Sequence, residues 1–143
     1  MTQANFHLSL PCKDIKETKN FYEKKLGLPV GRKSYSWIDF NVFGNQITFT
    51  KGDRSEIIVE RYRFEGQSLP TFHFGVILDS DRWNELHEKF QNEDFFAMGA
   101  NRFLEDKTGS HRSFFLIDPN EYFIEFKNFT HAEEVFQEDE DDD

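Results

Sequence analysis

The sequence predicts an α+β fold of two βαβββ modules whose curved mixed sheets face one another around a cleft. Three observations carry this expectation. A strand, a helix and three further strands can be read twice along the chain. Phe6-His7 and Phe72-His73 open the two occurrences, 66 residues apart. Ile47-Thr48-Phe49 near the end of the first resembles Ile124-Glu125-Phe126 near the end of the second, which makes an internal repeat.

Residues 6–12, FHLSLPC, alternate as a strand does, and residues 14–26, DIKETKNFYEKKL, place Ile15, Thr18, Phe21, Tyr22 and Leu26 at helical spacing. Asp14 suits the N-cap of that helix and Gly27 its C-terminal stop. VGRK, SWIDFNVF and QITFTK follow Pro29 as three short strands, separated by Ser-Tyr and Gly-Asn turn signals. These elements form a first module at about residues 5–52. In the second module, residues 71–129, TFHFGVIL is the opening strand. SDRWNELHEKFQN, residues 80–92, is an amphipathic helix with Trp83, Leu86, His87 and Phe90 on one face and Ser80 as its cap. Strands near 95–104, 112–117 and 121–127 complete the module, with DPNE as the turn between the last two. The linker, residues 53–70, has two readings: an extension of a strand, or a cover over one end of a cavity.

A chain of 143 residues that is 37% hydrophobic, with 18 Phe, has the material for one domain with a real core. Eight of its 27 acidic residues fall in residues 133–143, so residues 1–132 carry 17 basic and 19 acidic groups and are nearly neutral. The terminal EDEDDD run repels itself and lacks apolar anchors, so residues 133–143 are expected to be a disordered acidic tail. That charge also argues against nucleic acid as a partner. No apolar run is long enough to span a bilayer and no leader precedes the first strand, so the expected location is cytoplasmic, without membrane association. The single cysteine, Cys12, makes no intrachain disulfide and reads as a small core side chain.

Side chains of a strand alternate between faces. His7 therefore lies opposite Phe6, Leu8 and Leu10. His73 lies opposite Phe72, Phe74 and Val76, and Glu125 opposite Tyr122, Ile124 and Phe126. With a helix over each apolar face, two imidazoles and one carboxylate are left on the inner surfaces. His7 and His73 occupy matching positions of the repeat, a coincidence that core or surface histidines do not account for. Two His and one Glu suit Fe(II), Mn(II) or Zn(II), which makes the cleft a metal-binding one. Gln46 and Thr50 share the face of Thr48, and Trp37, Asp39 and Asn41 share a face of their own strand, where they can line the cavity. Arg112, beside His111, stands where it would attract an anionic substrate.

FHLSLPCKDIKETKNFYEKKLGL, GNQITFT, FHFGVIL and FFLIDPNEYFIEFKNF together resemble the vicinal oxygen chelate superfamily of glyoxalases, bleomycin- and fosfomycin-resistance proteins and extradiol dioxygenases. The resemblance spans nearly residues 5–129 and is strongest to a bacterial branch of small single-domain predicted dioxygenases. It implies one divalent metal ion, Fe(II) favoured over Mn(II), Zn(II) or Ni(II), with His7, His73 and Glu125 as ligands. It also implies a small substrate that chelates the metal through adjacent oxygens, and a homodimer. Members of the glyoxalase type add a fourth ligand at the position of Thr48, a poor ligand, so the resemblance points to open coordination positions and to an oxygenase. Thr48, Gln46 and Arg112 are then the candidate substrate-binding residues. A glyoxalase-type isomerase and a non-catalytic antibiotic-binding protein are the alternative readings.

Overall fold

The computed structural model describes residues 4–53 and 60–138. The chain divides into two compact units, residues 1–58 with 118–121, and residues 59–117 with 122–143. Each carries one four-stranded sheet with a helix after its first strand, as the repeat requires.

The first unit runs β1 (His7–Cys12), α1 (Ile15–Lys19), β2 (Val30–Lys33), β3 (Trp37–Val42) and β4 (Asn45–Lys51). Asp14 caps α1 as expected, its carboxylate accepting from the Glu17 N–H at 2.8 Å. The helix continues as a π-helical turn, Asn20–Lys25, and Gly27 ends it at φ 77°. The sheet order is β1-β4-β3-β2, with β1 parallel to β4 because the helix carries the chain back across the sheet. Tyr22 fills the space between helix and sheet against Phe21, Phe40 and Phe49, with ring centroids 4.9–5.2 Å apart. Residues 118–121 complete this unit. The Tyr22 hydroxyl donates to Asp118 at 2.7 Å, and Asn120 accepts from the Lys13 N–H at 3.0 Å while donating to Thr18 at 3.2 Å.

The second unit repeats the plan with β7 (Phe74–Ile77), α2 (Ser80–Phe90), β8 (Phe96–Phe103), β9 (His111–Ile117) and β10 (Phe123–Phe129), in the order β7-β10-β9-β8. The N-cap of α2 is Asp79 rather than Ser80: Asp79 has the extended backbone of a cap and accepts from the Arg82 N–H at 2.8 Å, whereas the Ser80 hydroxyl points to Asn128. Trp83 and Phe90 of α2 pack on Phe114 and Phe126, and the Trp83 indole donates to the Phe126 carbonyl at 2.9 Å.

Part of the expected linker is structured, although residues 54–59 lie outside the described residues. β5 (Arg61–Phe64) and β6 (Gln67–Pro70) form a hairpin that places Phe64 and Leu69 against Phe103 and Phe115, on the sheet face away from α2. Residues 61–70 are thus a hairpin of their own, packed on the sheet. The start of the expected disordered tail is ordered as well: Ala132–Phe136 is a 3-10 turn, and Glu134 accepts from the Gly109 N–H at 3.0 Å. The Gly109 N–H in the β8–β9 connection thus gives Glu134 an anchor. Residues 139–143 lie outside the described residues. Among the described residues no helix is long and apolar enough to cross a membrane.

Candidate metal centre

β10 lies inside its sheet, between β7 and β9, so its inner face is lined on both sides. Alternation turns Ile124 and Phe126 towards α2 and Glu125 to the other face, where the carboxylate is 7% exposed. Gly75 of β7 is the cross-strand partner of Glu125, and any side chain there would run into the Glu125 backbone carbonyl. A glycine is therefore what lets β7 approach β10 closely enough to bring His73 alongside.

His73 stands one residue before β7, with Nε2 3.3 Å from Glu125 Oε1. Its Nδ1 lies 2.9 Å from the Pro70 carbonyl, which can only accept, so Nδ1 carries a proton, and Nε2 faces the carboxylate, to which it donates when the ring is protonated. The Phe115 ring packs against the imidazole in a T-shaped pair, ring centroids 5.4 Å apart and planes at 80°. Glu125 pulls the His73 pKa above its ordinary value against the opposing effect of burial. Burial works to raise the Glu125 carboxyl, but His73, Lys127 and Ser113 outweigh it and hold the group below the usual glutamate range. Both shifts mean that the space between Nε2 and Oε1 favours positive charge.

That half-site fits a divalent ion by its donor chemistry: an imidazole nitrogen whose other N–H is tied to a carbonyl, next to a buried ionised carboxylate. Within either unit, no three His, Cys, Asp or Glu side chains among the described residues form a ligand cluster. His7 belongs to the other unit. It is exposed on β1, in register with Gln46, and lines a hollow of ≈ 360 Å³ with Arg32, Asp39, Asn41 and Gln46.

Thr48 and Gln46 lie on the His7 face of the first sheet, where both donate to one carboxylate. Thr48 Oγ1 is 2.6 Å from Asp39 Oδ1, Gln46 Nε2 is 3.1 Å from Oδ2, and Arg32 Nε is 3.8 Å from Oδ2. Asp39, which the sequence marked only as a cavity liner, is thus the centre of that network, a role reached through its cross-strand pairing with Thr48. Arg112 stands apart from Glu125. It lies on the α2 side of the second sheet, its guanidinium 4.0 Å from the Trp83 ring centroid and its Nε 3.0 Å from Asn128 Oδ1. The reason is strand parity: Ser113 pairs with Lys127 on the Glu125 face, and Arg112 is one residue off. Ser113, Asn101 and His111 share the Glu125 face and were not singled out. For Ser113 the signal was its parity within HRSFFLI.

Comparison with known proteins follows the same lines. A crystal structure from Alicyclobacillus acidocaldarius, described as a glyoxalase/bleomycin resistance protein/dioxygenase, is 27% identical with a TM-score of 0.79, covering 93% of this chain and 96% of that one. The fosfomycin resistance protein FosX of Listeria monocytogenes is 21% identical with a TM-score of 0.64, covering 94% of this chain and 98% of its own, a likeness of fold. No curated protein matches the chain. The model of one family matches residues 6–126, from the first strand to the Ile-Glu-Phe of the last, and the chain therefore belongs to the Glyoxalase/Bleomycin resistance protein/Dioxygenase superfamily.

Proposed function

We propose that the protein is a metal-dependent, dioxygenase-like enzyme acting on a small substrate that chelates one divalent ion, Fe(II) by preference, through vicinal oxygens. His73 and Glu125 supply two ligands. His7 supplies the third, from the same chain or, in a homodimer, from a partner chain. The observation that carries this reading is the His73 and Glu125 pair, an imidazole of fixed tautomer 3.3 Å from a buried, ionised carboxylate. Two neutral donors and one anion leave a divalent ion with a net positive charge and with open positions for oxygen ligands. Such an ion, when bound, supplies Lewis acidity to substrate oxygens and, as iron, a means of activating dioxygen.

The remaining work belongs to the chain. The Pro70 carbonyl and the Phe115 ring orient His73. Thr48 occupies the position that corresponds to Glu125 in the repeat, and its hydroxyl is engaged by Asp39, which supports an open coordination position there. Gln46, tied to Asp39, presents an amide beside His7 as a substrate contact.

Metal analysis of protein purified without chelator tests the reading. About one divalent ion per three-ligand site is expected, iron predominating, and Glu125→Ala should cut occupancy at least tenfold in competition with a chelator. Full occupancy in Glu125→Ala would overturn the site. Failure of the wild type to retain any divalent ion would favour a non-catalytic binding protein.

A further inference from the structure

We propose that Arg102 and Arg112, on the α2 face of the second sheet, bind the phosphate group of a small polar ligand. The site is separate from the candidate metal centre, since Glu125 lies on the opposite face. The two arginines are direct cross-strand partners on β8 and β9. Like charges placed opposite one another on a sheet are destabilising, and an anion beside them relieves the repulsion. Among the described residues neither guanidinium forms an ion pair with a carboxylate. Burial and the Arg102 charge together lower the Arg112 pKa, so the two cations act on one another.

Both are held by neutral partners that leave their charge uncompensated. Arg112 Nε donates to Asn128 Oδ1 at 3.0 Å, and the guanidinium lies 4.0 Å from the Trp83 ring centroid. Asn128 is itself buried and fixed, donating to the Leu78 carbonyl at 3.0 Å. Arg102 Nη1 donates to Thr130 Oγ1 at 3.0 Å, and that hydroxyl donates to Ser110 Oγ at 3.3 Å. Each guanidinium therefore spends one N–H on a neutral acceptor and keeps the rest, in a plane set by that bond, for a ligand. Side chains ordered in advance give up less entropy when a ligand arrives.

A hollow of ≈ 590 Å³ beside Arg102 gives the ligand room. Lys107, Ser110, Glu105 and Asp106 line it with Arg102, while Glu134 on its wall is engaged by the Gly109 N–H. Such a lining repels apolar groups and suits hydroxyls, which carboxylates accept from. Two guanidinium forks offer more donors and more charge than a single carboxylate can use. A phosphate group, with a charge of about −1.5 to −2 and three oxygens, can meet both.

Titration of the full chain with inorganic phosphate at constant ionic strength, followed by the amide resonances of residues 102, 112 and 128–130, tests the site. Saturable shifts are expected, about tenfold weaker in Arg102→Gln, a change at an exposed position that leaves the fold intact. A similar loss is expected in Arg112→Lys, which keeps the charge but removes the Nε bond and the planar fork. Arg63→Gln, which removes a positive charge from the hairpin, should bind as the wild type does. Absence of saturation overturns the proposal, as does an equal loss in Arg63→Gln, which would reduce the effect to net charge. Acetate binding as tightly as phosphate would overturn the phosphate class. A second arm compares inorganic phosphate with sorbitol 6-phosphate. Severalfold tighter binding of the ester, erased by Glu105→Gln, is expected for a phosphorylated polyol lodged in the hollow, and equal binding overturns that source in favour of the free ion.

Discussion

Single side chains set the chemistry, and the contrast between Glu125 and Thr48 is the sharpest. They occupy equivalent positions of the repeat, one a buried ionised carboxylate and the other a hydroxyl spent on Asp39. On the proposed function, Thr48→Glu should therefore tighten metal retention severalfold while lowering any oxygenase turnover, because it would fill a position proposed for substrate or dioxygen. Chelator competition and oxygen uptake, measured on one preparation, check whether the two quantities separate. His111 offers a test by pH. Burial lowers its pKa below 6.5, with rings of Phe103 and Phe129 5.4 and 5.1 Å away and Nδ1 2.8 Å from the Gly109 carbonyl. The unfolded chain then binds a proton before the folded one does. The contribution of neutral His111 is fully present above pH 6.5 and is lost as pH falls through the lower folded value. Urea unfolding between pH 7.5 and 5 should show a shallower acid loss for His111→Gln than for the wild type.

Elements place those side chains, and two glycines decide how closely they approach. Gly75 lets β7 lie against the Glu125 backbone, and Gly99 carries the bulge of β8 over Phe114. Gly99→Ala combines a left-handed φ with a 2.5 Å contact, so a loss of about 2–4 kcal/mol is expected, read as a fall in Tm. The hairpin of β5 and β6 is fastened by Phe64 on Phe103 and by Glu65, whose carboxylate oxygens accept from the Leu104 N–H at 3.0 Å. Glu65→Ala should leave global stability within about 1 kcal/mol but speed hydrogen exchange at Leu104 and along residues 61–70. Unchanged exchange there would show that the apolar contacts alone hold the hairpin.

At the scale of the whole molecule, the chain returns to the first unit for residues 118–121 between two strands of the second. Asn120 carries that return, accepting from the Lys13 N–H and donating to Thr18 inside the unit. Asn120→Ala leaves the partly buried Lys13 N–H and the buried Thr18 hydroxyl without this partner and should cost about 1–3 kcal/mol, measured by urea denaturation. The tail separates into two parts. Removing residues 138–143 should leave Tm unchanged, since a self-repelling acidic run contributes no packing. Removing residues 133–143 also deletes the Glu134 to Gly109 hydrogen bond and should lower Tm by a few degrees.

The two βαβββ modules, the strand bounds to within a few residues and the faces of His7, His73 and Glu125 were legible in the sequence. They follow from local periodicity: a strand exposes alternate residues, a helix every third or fourth, and a repeat states the pattern twice. Parity also contained the orientation of Arg112 and Ser113 once β9 had its true start at His111. Tertiary structure alone decided the hairpin over residues 61–70, the anchor for Glu134 and the centring of Asp39 between Thr48 and Gln46. It alone placed Met98 and Asn101 on one face of β8, because two register shifts, between Phe96 and Met98 and between Met98 and Asn101, each move the pairing by one residue. Those arrangements depend on which strand lies next to which and on how closely two backbones can approach, quantities fixed by packing between residues far apart in the chain.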